Sequence, residues 1–157
     1  MKLNPQLCRR ASSLRGFTLI ELMIVVLVIA ILAGIAFASY QQYVIRSNRS
    51  KAIAAVNKVA YEEERFLYSY GQYTANLTAP HGANAASSGL GLSNTTCDAK
   101  SSDSACYAIA VNQNACTDNL CYAITATPQG AVQSKDSCGT LTLTSSGERS
   151  ASHSGCW

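Results

Sequence analysis

Charge is scarce in the first third of this chain. Only 13% of the 157 residues are charged, and a single one, Glu21, lies between Arg15 and Arg46. Proline is also sparse. None of the three prolines falls between Phe17 and Tyr70, and the only glycine in that span is Gly34. With so few breakers, the span permits an unbroken helix about 80 Å long at the usual rise. Catalytic signatures are missing as well. There is no Ser/His/Asp set, no carboxylate pair in a cleft context and no cofactor fingerprint, so neither a catalytic residue nor a cofactor is expected. No Cys-x-x-Cys occurs, and His81 and His153 stand alone, which argues against a zinc site. No Asp-x-Asp pattern supports a calcium loop.

The charge that is present is unevenly placed. Residues 1–16 hold Lys2, Arg9, Arg10 and Arg15 and no acid, which leaves the rest of the chain at a formal −1 before its termini are counted. A nearly neutral body argues against a large nucleic-acid surface, which needs clustered Lys and Arg. Nucleic acid is therefore not expected as the main ligand. Residues 22–38 carry no charge, and with Phe17–Glu21 they are long enough to cross a bilayer. The preceding bases put the N-terminus in the cytoplasm. Three readings compete. One is a secretory signal cut after Ala36-Phe37-Ala38. Another is a plain membrane anchor. The third is a helix cut before its apolar run, which then serves as both anchor and polymer core. Only the third gives Glu21 a purpose, since a carboxylate in such a run is costly without a partner.

Gly16-Phe17-Thr18-Leu19-Ile20-Glu21, behind a basic leader and ahead of the apolar run, resembles the processing motif of type IV pilins. The resemblance implies cleavage between Gly16 and Phe17 by a prepilin peptidase, followed by N-methylation of Phe17. Glycine lets an extended backbone enter a narrow protease site. Glu21 would sit one helical turn from the new amine, about 6 Å by rise. In a filament it would meet the Phe17 ammonium of a neighbouring subunit. Such a buried pair sets register more than it adds net stability. Family members commonly carry a proline and a glycine where this chain has Ala38 and Ala30. Both changes favour helix, and Gly34 is the remaining weak point.

Beyond Tyr40 the apolar residues Ile53, Val56, Ala60, Leu67 and Tyr70 recur at three- and four-residue steps, which is one helical face. The Glu62-Glu63-Glu64-Arg65 run reads as a solvated face, and Arg49 as polar surface. Gly71 marks the helix end. Residues 71–105 read as a mostly irregular connection with a helical turn around Ala75–Leu77. Gly89-Leu90-Gly91-Leu92 follows no strand pattern and is not a phosphate loop. Period-two alternation then predicts half-buried antiparallel strands around Tyr107–Val111, Tyr122–Thr125 and Leu141–Leu143, one face packing on the helix stripe. Asn112–Leu120 and Pro128–Ser137 read as loops. Asp98, Asp103, Asp118 and Asp136 sit in polar loops and are read as solvated.

Of seven cysteines, Cys8 lies in the leader. Cys97, Cys106, Cys116, Cys121, Cys138 and Cys156 fall in the last 61 residues, which reads as a disulfide framework in an oxidising compartment. Fifteen connectivities are open. Local loop closure favours Cys97–Cys106, Cys116–Cys121 and Cys138–Cys156, and by resemblance the last closes the D-region loop of pilins. The tail from Cys138 to Trp157, with Thr125–Gly130, is similar to PilE-type minor pilins.

The expected fold is therefore α+β, the type IV pilin fold: a long N-terminal helix on a small antiparallel sheet with a disulfide-stapled C-terminal region. The expected organisation is a leader at 1–16, an apolar transmembrane and filament-core helix at 17–40, its amphipathic half at 41–70, a connection at 71–105, and the sheet with the disulfide-bonded region at 106–157. The resemblance implies a non-enzymatic, minor pilus subunit serving pilus assembly, adhesion, twitching motility and DNA uptake. Its implied partners are other pilin subunits, the prepilin peptidase, an inner-membrane assembly platform and, before assembly, membrane lipid. It would lie in the inner membrane first and on the cell surface afterwards. A major pilin, a type II secretion pseudopilin and a signal-anchored periplasmic binding module remain as alternatives.

Overall fold

A computed structural model describes residues 16–96, 106–113 and 120–157. The leader up to Arg15, with Cys8, lies outside the described residues, as do Cys97, Cys116, Asp98, Asp103 and Asp118. The chain forms two units, Met1–Ala38 and Ser39–Trp157, and one helix, α1 (Leu19–Tyr70), contributes residues to both.

In the first unit α1 is apolar all round except at Glu21. From Phe17 to Phe37 every large apolar side chain is exposed. The helix is long and apolar enough to cross a membrane. Its one glycine, Gly34, has open space where a Cβ would stand, and the helix continues through it, as expected for a single glycine flanked by good helix formers.

In the second unit α1 presents a buried stripe to a four-stranded antiparallel sheet. The strands are β1 (Cys106–Asn112), β2 (Ala123–Gln129), β3 (Leu141–Thr144) and β4 (Arg149–Ser150), in that spatial order. The register sets Ile109 opposite Ala126, Val111 opposite Ile124, and Ile124 opposite Leu143. Alternate residues of each strand therefore share one apolar face. Ala52, Val56, Val59 and Phe66 of α1 join Tyr107, Ile109, Ile124, Ala126, Leu141 and Leu143 in a single core. Gly71, at φ 73°, ends the helix in the left-handed region.

The stripe is phased differently from the sequence reading. The fully buried positions are Ala52, Val56, Val59, Glu63 and Phe66. Ile53, Ala60, Leu67 and Tyr70 are only partly buried at its flank. The difference arises because two stripe positions, Arg49 and Glu63, carry charged side chains that an apolar count passes over.

Pro128 does not begin a loop, as β2 runs on to Gln129. Pairing with β3 stops at Ala126, so Pro128 lies where β2 has become an edge, and there proline is tolerated. A one-turn helix, α2 (Gly130–Gln133), follows. The turn expected at Ala75–Leu77 is instead a 3-10 turn at Ala85–Ser87, capped by the Asn84 side chain. Residues Asn76–Leu92 close on themselves through Leu90 N–H to Asn76 O at 3.0 Å, Gly91 N–H to Ala79 O at 2.8 Å and Leu92 N–H to Leu77 O at 2.9 Å. Gly89 permits this closure, since a Cβ there would lie 2.4 Å from Asn76 O.

The outer edge of β1 has cover. Along β1, Ile109 N–H donates to Asn94 O at 2.7 Å and Thr96 N–H to Tyr107 O at 2.9 Å. Beside β4, Trp157 Nε1–H donates to Ser150 O at 3.0 Å, under the Arg149 guanidinium at 5.5 Å from the ring centroid.

Candidate functional site

The start of α1 is built by Thr18. Its Oγ1 accepts the Glu21 N–H at 3.3 Å, and its carbonyl accepts the Leu22 N–H at 3.2 Å. This satisfies donors that a helix N-terminus otherwise leaves open. Phe17 stands just ahead, 83% exposed. A Cβ on Gly16 would meet nothing within 4 Å, so local packing among the described residues does not demand glycine there. Glu21 projects into the open one turn along. The ion pairs among the described residues are Arg49–Asp136, Arg65–Glu62 and His81–Glu62, and Glu21 takes part in none. Gly16, Phe17 and Glu21 thus form one exposed cluster at the head of an uncovered apolar helix.

Of the six C-terminal cysteines, Cys138 and Cys156 form a disulfide with Cα atoms 5.7 Å apart. Cys106 and Cys121 are also disulfide-bonded. The partners expected for them, Cys97 and Cys116, lie outside the described residues.

The second unit holds a polar cluster that sequence reading missed. Asp136 is buried rather than solvated. Arg49 donates to it from Nε at 3.0 Å and from Nη2, Tyr107 donates through its hydroxyl, and the Cys138 N–H donates at 3.0 Å. Gln133 Nε2 reaches Asp136 Oδ2 at 3.2 Å, the Tyr107 hydroxyl at 3.2 Å and Ile45 O at 3.3 Å. Burial alone pushes the Asp136 carboxyl up, but the bonds from Arg49, Tyr107 and Cys138 outweigh it and hold it below its ordinary value. The same cluster pushes Tyr107 up to about 12, chiefly through burial and then through its bond to Asp136. It fixes α1 to β1 and to the turn before β3, and so positions the disulfide next to it. The available signal was the four-and-three spacing Ile45, Arg49, Ala52, Val56, Val59, Glu63, Phe66, in which charged residues fall in line with apolar ones.

The run Glu62–Arg65 is not uniformly solvated, because Glu63 is wholly buried.

Comparison with known proteins gives the family. Residues 12–37 match the prokaryotic N-terminal methylation motif. Residues 38–142 match the family described as type IV minor pilin ComP, DNA uptake sequence receptor. The chain belongs to this type IV minor pilin family. Among similar proteins, a fimbrial protein of Neisseria meningitidis serogroup A / serotype 4A is 38% identical over 65 residues, covering 41% of this chain and 38% of that protein. The type IV major fimbrial protein FimA of Dichelobacter nodosus is 40% identical over 96 residues, 52% of this chain and 62% of FimA. Each match spans less than two thirds of the relative's length. A type IV pilin of known structure from Shewanella oneidensis is 23% identical with a TM-score of 0.47, covering 72% of this chain and 97% of that one.

Proposed function

We propose that this chain is made as a precursor, cut after Gly16 by a prepilin peptidase, N-methylated at Phe17, and held in the inner membrane by its apolar helix. An assembly platform there would pass it into a pilus on the cell surface. In the filament, Glu21 meets the Phe17 ammonium of a neighbouring subunit. One observation carries the reading: an exposed carboxylate one turn from Phe17, at the start of a helical segment whose large apolar side chains up to Phe37 are exposed among the described residues. Lipid covers them first and other pilin helices afterwards. The role is structural, with no chemistry performed by the subunit itself.

Mass spectrometry of the N-terminus tests processing. N-methyl-Phe17 is expected, whereas a chain beginning at Met1 or after Ala38 refutes the reading. Glu21→Ala is expected to insert in the membrane normally and to enter filaments poorly. Normal filament incorporation of that variant would refute the pairing.

The family description supports a second reading, that the head binds DNA. It runs against the expectation, drawn from net charge, that nucleic acid is not the main ligand. The two meet if few phosphates are contacted and base sequence carries the selectivity. Fluorescence anisotropy of the full chain in detergent micelles, with a panel of duplex oligonucleotides, tests this. Marked preference for one sequence with a shallow salt dependence is expected, and equal binding to all duplexes would overturn it.

A further inference from the structure

Glu63 lies in the buried stripe of α1 with none of its surface exposed. Its Oε2 accepts the Thr74 N–H at 3.0 Å, and its Oε1 has no hydrogen-bond partner among the described residues. Among the described residues, the titratable groups facing it are Glu64 on α1, Tyr73 in the connection after α1, and Tyr122 at the entrance to β2. The Tyr73 hydroxyl donates to Glu64 Oε1 at 3.0 Å, and the Tyr73 ring meets Tyr122 edge-on at 4.8 Å. None of these groups is cationic. Arg65 and His81 engage the neighbouring Glu62, at 2.8 Å and 3.9 Å. An ionised Glu63 would therefore be a buried charge with one donor, beside a second acid, which is costly.

Thr74 is also where the self-closed lobe Asn76–Leu92 leaves the helix. Leu77 and Leu90 anchor the lobe in the core. Tyr70 holds its far side, donating its hydroxyl to Gly82 O at 2.6 Å. The Glu63–Thr74 bond is the attachment at its root.

We propose that Glu63 is a proton-operated latch: uncharged, it holds Thr74 and seats the root of the lobe against α1, and on losing its proton it releases Tyr73 and Thr74 so that water reaches the carboxylate. The exposed outer residues of the lobe, among them Asn76, Thr78 and His81, are thereby presented differently in mildly acidic and neutral surroundings.

Burial pushes the Glu63 carboxyl up from 4.5 to about 7, against the lowering effect of the Thr74 bond. A folded-state value above that of the open state means that closure is fully favoured below pH 4.5. Closure is then lost progressively as the pH rises towards 7.

Amide hydrogen exchange of the full chain in detergent micelles, corrected for intrinsic base catalysis, tests the latch. Protection at Tyr73 and Thr74 should fall by up to about tenfold per pH unit across that window, while protection of the β1–β2 ladder holds. In Glu63→Gln the fall should vanish. An equal fall in both proteins overturns the proposal. The wild-type carboxyl also decides the matter by 13C titration, whether or not the variant folds. A Glu63 midpoint near neutrality supports the latch, and one in the ordinary carboxylate range overturns it.

Discussion

Arg49 and Asp136, 87 positions apart in sequence, are joined by two hydrogen bonds from one guanidinium to one carboxylate. The carboxylate is fully buried and the arginine mostly so. This pair, completed by Tyr107 and Gln133, decides how α1 is locked along the sheet.

Removing one partner leaves the other's charge stranded. Arg49→Ala should lower the stability of the head by about 3 kcal/mol, the lower end for a buried pair because the guanidinium keeps some solvent contact. Replacing both residues with apolar side chains of similar size should cost less than the two single changes summed. Urea denaturation of the full chain in micelles, read as a double-mutant cycle, measures this.

The same carboxylate sets an acid limit. Its folded-state value lies below the ordinary 3.8. The stability it contributes is therefore present above pH 3.8 and lost as the pH falls through the folded-state value. The denaturation midpoint should drop on acidification below pH 3.8 in the wild type. In Asp136→Asn it should start lower and fall less steeply.

Two glycines should respond oppositely to alanine. Gly89→Ala drives a Cβ against the carbonyls of Asn76 and Ala79, at 2.4 Å and 2.7 Å, and should cost about 1–3 kcal/mol by overpacking. Gly34→Ala meets open space and should not destabilise the helix, since alanine is favoured there by about 1 kcal/mol. Thermal unfolding followed by circular dichroism separates the two.

The Cys138–Cys156 bridge closes a short loop, its ends 18 positions apart. Replacing both cysteines with serine should cost about 2–4 kcal/mol. The loss should appear first as faster exchange at Ser152, whose N–H donates to Cys138 O at 3.0 Å.

Local signals made the backbone legible. The lack of breakers announced α1 and Gly71 its end, and alternation located β1, β3 and the first half of β2. β4 has only two residues, too few to show a period. The phase of the helix stripe was hidden because Arg49 and Glu63 fill inward positions. A charged residue in a core becomes legible only once its distant partner is known, and Asp136 and Thr74 are brought to them by tertiary packing alone. The exposed cluster at Gly16, Phe17 and Glu21 was readable for the opposite reason, since its meaning lies in consecutive residues and needs no folding to assemble.

The segment Asn94–Thr96 occupies the outer margin of β1, accepting the Ile109 N–H at 2.7 Å and donating to Tyr107 O at 2.9 Å. A strand margin with open acceptors invites foreign backbone to add on as a further strand. A head whose β1 margin is already taken up by its own chain is discouraged from stray sheet-to-sheet joining with another head.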